Sequence, residues 1–128
     1  MAILIGCACA PPPRPTPLDF SGDWAGTTSQ GRPITFTVSS DLVITRLSID
    51  YAFGACTGSV TVSPNVALLN TSAAAAAVVT YTGTGSTGSN RTVIHFLFPS
   101  FATANGTVDF SDFSTCGSSS ATWTASKR

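Results

Sequence analysis

The chain is expected to fold as an all-β domain: an antiparallel β-sandwich of about seven to eight strands, with a small up-and-down β-barrel as the alternative. Three observations lead there. Short runs alternate in polarity, as where Ile34, Phe36 and Val38 interleave with Thr35, Thr37 and Ser39, which is the period of a half-buried strand. Gly, Pro, Asn and Ser break these runs every ~8–12 residues, the spacing of sandwich and barrel turns. Charged residues make up only 9% of the chain, while Thr and Val suit a pleated surface and Gly and Ser supply turns. Large aliphatic and aromatic residues recurring at strand spacing argue against disorder. The length, 128 residues, accommodates one core of ordinary size. The expected division is an export segment over residues 1–9, a Pro-rich linker over 10–17 and a single β domain over 18–128.

The first segment ends in Leu4-Ile5-Gly6-Cys7, in the order Leu, a small or aliphatic residue, Gly or Ala, then Cys. It resembles the lipobox of a bacterial lipoprotein signal peptide. The resemblance implies a diacylglycerol thioether on Cys7, cleavage before it, and attachment to the membrane by acyl chains rather than by a spanning helix. A secretory signal has a charged start and an apolar stretch of about 7–15 residues, so a longer signal than Met1 to Gly6 is expected. Pro11, Pro12, Pro13, Pro15 and Pro17 follow. They fix φ near the polyproline II value and cannot enter a sheet interior, so this stretch reads as a stiff tether.

Phe20 to Gly26 opens the domain as a Gly-containing turn with aromatics near its ends. Its Gly22-Asp23-Trp24 is similar to the Gly-x-Trp that begins calycin barrels, where the tryptophan closes one end; a Trp packed over any β core is the simpler account. Ile34 to Val38 is a half-buried strand and Ser40-Asp41 a turn. From Leu42 to Phe53, Val43, Thr45, Leu47, Ile49, Tyr51 and Phe53 fall on one face, with Arg46, Ser48 and Asp50 on the other. A one-residue slip would bury Arg46 and Asp50, so the register is well specified.

Ser59 to Ser63 and Val66 to Asn70 are expected as short strands. Ala73 to Ala77 reads as a turn entering a strand through Thr82, because Val78, Val79, Thr80 and Tyr81 prefer the extended state. Gly83 to Asn90 is expected as a hairpin loop, since a phosphate cradle needs a following helix. Arg91 to Phe98 is the most apolar run and reads as a central strand covered on both faces. Alternation sets His95 with Val93 and Leu97, opposite Ile94, Phe96 and Phe98. If the Phe96 face is the core, a loop or partner chain must cover Val93 and Leu97. After Pro99-Ser100, Phe101 is expected to reach back over the core. Gly106 to Phe113, with Val108 and Phe110 inward, and Ser120 to Ala125, around Trp123, complete the strands.

The four cysteines allow three pairings. Cys7 and Cys9 lie in the export segment, leaving Cys56 to pair with Cys116. No cofactor or metal site is expected: the two body cysteines lack Cys-x-x-Cys spacing and His95 is the only histidine. Asp109, Ser111, Asp112 and Ser114 are closely spaced donors but do not match an EF-hand loop.

Six Lys and Arg balance six Asp, with no basic cluster beyond Lys127 and Arg128, so no nucleic-acid partner is expected. A triad of His95 with Asp50, Asp109 or Asp112 and a serine lacks any hydrolase motif such as Gly-x-Ser-x-Gly. Asp109 and Asp112 do not face each other as glycosidase carboxylates would. The chain therefore reads as a non-enzyme. Trp24, Tyr51, Tyr81 and Trp123 form a candidate stacking platform for sugars, with core packing as the competing role. Asn-x-Ser/Thr sequons stand at Asn70, Asn90 and Asn105.

Ser21 to Gly26 (Ser-Gly-x-Trp-x-Gly) and Cys116-Gly117 with Thr122 to Ala125 (Thr-Trp-Thr-Ala) resemble the termini of small secreted bacterial β domains, a likeness that implies no activity. The expected function is a surface-tethered or secreted binding or structural module of the cell envelope or an extracellular assembly. Its expected partners are the membrane, through Cys7, and a protein or glycan. A carbohydrate-binding module and an enzyme with an unrecognised site are the alternatives.

Overall fold

The structure is a computed structural model that describes residues 19–70, 74–85, 88–113 and 116–128. The lipobox segment with Cys7, the Pro-rich linker and Ser114 lie outside the described residues. Ten strands follow in order: β1 (Gly22–Thr28), β2 (Pro33–Val38), β3 (Val43–Phe53), β4 (Cys56–Val62), β5 (Val66–Ala67), β6 (Leu69–Asn70), β7 (Ala75–Gly85), β8 (Gly88–Phe98), β9 (Thr103–Ser111) and β10 (Ser119–Lys127).

All pair antiparallel in one sheet, in the order β4-β3-β2-β1-β10-β9-β8-β7-β6, with β5 also on β3. The all-β antiparallel class is as expected. Of the two architectures, the topology is the up-and-down one: each long strand pairs with its chain neighbour, and the pairing of β1 with β10 joins the first and last described strands. Closure comes from Val66 to Asn70, whose first half pairs with β3 and whose second half pairs with β7. Between them the Leu68 N–H donates to the Leu42 carbonyl at 2.8 Å. Beyond this bridge β4 and β7 do not pair, so the wall is nearly closed with a seam along one side. One end, the lower rim, gathers the starts of β1, β3, β7 and β9 and the ends of β2, β8 and β10. The other is the upper rim.

The interior is built by alternation. Phe20, Trp24, Phe36, Phe96, Phe98 and Trp123 fill its lower half, with Trp24 against Phe36 at 5.7 Å between ring centres and edge-on to Phe98 at 5.2 Å. Tyr51, Phe53, Phe110 and Phe113 form a second aromatic layer near the upper rim. A β-carbon at Gly106 would lie 1.8 Å from the His95 carbonyl oxygen and 3.0 Å from Cζ2 of Trp123. Only glycine lets β8 and the indole come so close.

Several expectations need correction. The opening Gly22 to Gly26 stretch is the first strand, not a turn, because it completes the ladder between β2 and β10. On β3 the buried residues are Ile44, Leu47 and Ile49, whereas Val43 and Thr45 are only half-buried; the register with β2 shifts at Thr37/Val38, and such a bulge reverses the alternation. The hairpin expected over 83–90 is shorter, with pairing continuing to Gly85 and Gly88. The central strand is covered on one face only: Ile94, Phe96 and Phe98 are buried while His95 and Leu97 are exposed.

Candidate functional site

Cys56 and Cys116 form a disulfide with Cα atoms 6.0 Å apart and a sequence separation of 60. It ties the start of β4, which among the described residues has a β neighbour on one side only, to the β9–β10 connection across the upper rim. There the Phe113 N–H donates to the Gly117 carbonyl at 2.8 Å, and Phe113 is buried under the connection. Gly54, with φ of +57°, brings the β3–β4 turn against Cys116.

The proposed stacking residues do not form one platform. Trp24 and Trp123 are 1% and 2% exposed and belong to the core, since they fall on inward positions of β1 and β10. Trp24 Nε1 donates to the Phe20 carbonyl at 3.0 Å. Tyr51 and Tyr81 are half-buried and pack against the core, on β3 and β7. The aromatic count in the sequence does not separate core rings from exposed ones; their parity within each strand does.

His95 points outward, opposite Val78 on β7 and Thr107 on β9. The carboxylates considered for it are engaged elsewhere: Asp50 accepts from Ser59 at 2.7 Å and Asp109 from Ser120 at 2.8 Å, each across a strand pair. Asp112 sits beyond β9 with φ of 61°. No triad is assembled among the described residues, and no group of three or more His, Cys, Asp or Glu that could hold a metal ion occurs among them.

The outer wall is otherwise a cross-strand hydroxyl surface. Ser48 bonds Thr61 at 3.1 Å and Thr37 donates to Asp23 at 2.9 Å. A depression of about 510 Å³ lies against Arg91, Val93, Asp109 and Ser118 to Ser120. At the lower rim, Asp19 accepts from the backbone and hydroxyl of Ser21, and these bonds hold its carboxyl below the ordinary range. Lys127 Nζ donates to the Asp19 carbonyl at 2.7 Å and lies 5.7 Å from the Trp24 ring centre.

One feature of the outer wall breaks this polar pattern. Leu69, Val78, Leu97 and Phe101 are 75%, 50%, 46% and 38% exposed, the exposed large hydrophobics of the described chain. The ladder sets Leu69 beside Ala76 and Ala76 beside Leu97, with Val78 beside His95 in the next row. Phe101, in the β8–β9 turn, reaches back to Phe20 at 5.6 Å as expected, yet keeps an exposed face. Sequence reasoning singled out Leu97 but missed Leu69 and Val78; the sequence signal for Val78 was its parity opposite Ala77 and Val79, which mark the inward side. Comparison with protein families, with curated proteins and with solved structures finds no match to this chain.

Proposed function

We propose that the protein is a tethered or secreted module of the cell envelope, held through Cys7 and acting through the outside of its barrel. The observation that carries this reading is how the barrel is filled. Both aromatic layers and the aliphatic core converge on its axis, so the interior serves packing, and the surfaces left for recognition are the outer wall and the rims. The Cys56–Cys116 bond supports an oxidising compartment. The Leu4 to Cys7 pattern and the stiff proline run supply the means of attachment.

Cell fractionation tests the reading. The native chain is expected in the membrane fraction, released by detergent, and a Cys7→Ser chain in the soluble or secreted fraction. A native chain that is soluble in the cytoplasm contradicts the proposal.

A further inference from the structure

The exposed hydrophobics lie at one end of the barrel. Leu97 is the penultimate residue of β8, Leu69 pairs beside the second residue of β7, Val78 is two positions further along, and Phe101 is in the turn that follows β8. That end is the lower rim, where the chain also enters: Phe20 lies 5.5 Å from Phe98 and 5.6 Å from Phe101, immediately before β1. The described chain therefore begins, at Asp19, on the rim that carries this patch.

We infer that the lower-rim patch of Leu69, Val78, Leu97 and Phe101 is a docking surface for a lipid bilayer, which it enters to the depth of the head groups and upper acyl chains. The inference rests on the Cys7 tether proposed above. An acyl group on Cys7 is joined to Asp19 through the Pro-rich stretch, and at the polyproline rise the span from Cys7 to Asp19 reaches at most about 37 Å. The rim where that tether enters is thus kept within this reach of the membrane, and its patch is the exposed apolar surface at the attached end of the barrel. A second copy of the chain fits less well. The patch exposes on the order of 400 Å² of apolar side chain, within the range of a functional surface patch but about half of what each partner buries in a stable complex. A bilayer sets no such minimum, because its affinity scales with whatever apolar area enters it and needs no complementary partner surface.

The rim is not a basic patch. Lys127 and Arg128 share it with Asp19, Asp23 and Asp41, and the Lys127 N–H donates to the carbonyl of Ala102, next to Phe101. Docking should therefore be apolar, similar on zwitterionic and anionic lipid, and insensitive to salt.

The test is flotation of the full chain carrying Cys7→Ser and Cys9→Ser, so that no acyl chain contributes, with vesicles of phosphatidylcholine alone or with phosphatidylglycerol. The expected result is binding to both, reduced by about tenfold or more by Leu69→Ser/Leu97→Ser, with near-ultraviolet circular dichroism unchanged. Any binding by the apolar N-terminal residues is common to both chains and cancels in the comparison. If the double variant unfolds, Leu69→Ser alone, at a site three-quarters exposed, carries the comparison with a smaller expected loss. Equal flotation of parent and variant overturns the inference. So does a parent that ignores vesicles but forms a dimer in sedimentation that the variant loses, which would assign the patch to a second copy. Acylation of Cys7 is read separately by mass, so failure of the tether and failure of docking are distinguishable.

Discussion

Breaking the Cys56–Cys116 bond should destabilise the barrel unevenly. The bond closes a loop with a separation of 60 residues, for which the chain-entropy relation gives about 4 kcal/mol. A domain of this size unfolds with an entropy of roughly 0.2 kcal/mol/K, so the midpoint should fall by about 15–20 °C. The loss should concentrate where the bond acts. Among the described residues β4 has a β neighbour only on the β3 side, and the disulfide is its covalent link to the β9–β10 connection, whereas β8 is paired on both sides by β7 and β9. The assay compares Cys56→Ser/Cys116→Ser with its parent, both carrying Cys7→Ser and Cys9→Ser, by thermal circular dichroism and by amide exchange. Exchange should rise most in β4 and around Phe113, and least in β8. A midpoint lowered by less than about 3 °C, or a uniform rise in exchange, would refute the reasoning.

Other substitutions probe the interior and the rim. Phe98→Ala removes a ring that is 0% exposed and touches Phe20, Trp24, Phe36 and Phe96; a loss of about 3–5 kcal/mol is expected in urea unfolding. Gly106→Ala forces a β-carbon onto the His95 carbonyl and should lower stability by more than about 3 kcal/mol, or prevent folding. Thr92 is 0% exposed and its hydroxyl has no hydrogen-bond partner among the described residues, so Thr92→Val, of nearly equal shape, should stabilise by about 1 kcal/mol; a clear destabilisation would reveal a partner for that hydroxyl. Asp19 titrates below its ordinary value of 3.8 because Ser21 bonds its charged form. A depressed folded pKa means that this contribution is present above the unfolded value and lost as pH falls through the folded one. Ser21→Ala should return the Asp19 midpoint upward in a carboxyl NMR titration, and an unmoved midpoint would contradict the assignment.

Much of the barrel was legible because period-two patterning decides which side chains go inward. Ile34, Phe36 and Val38, and likewise Ile94, Phe96 and Phe98, could be placed from the sequence alone, and elimination was enough to pair Cys56 with Cys116. What alternation does not encode is closure. The same meander serves a two-sheet or a one-sheet architecture, and the choice lies in the five residues Val66 to Asn70, too short a stretch to show a period. The bulge opposite Thr37/Val38 was hidden for a related reason: one added residue swaps Ile44 for Val43 on the inner face, and both are β-branched and apolar.

The surface was harder to read. Trp24 and Trp123 are residue types common to cores and to sugar platforms, and the pairing of β1 with β10 is what puts both inside. The run Arg91 to Phe98 looked doubly covered because Val93 and Leu97 are as apolar as the residues between them. Val93, in mid-strand, is half-buried, whereas Leu97 is exposed because it sits near the end of a single-layered wall, where it coincides with Leu69, Val78 and Phe101, which lie far apart in sequence. Such a patch exists only once the strands are ordered.

The proposed attachment through Cys7 is tested most directly by the mass of the N-terminal peptide, taken from the membrane fraction. A peptide that begins at Cys7 and carries diacylglycerol on its sulfur is expected. A peptide with Cys7 internal and unmodified would contradict it.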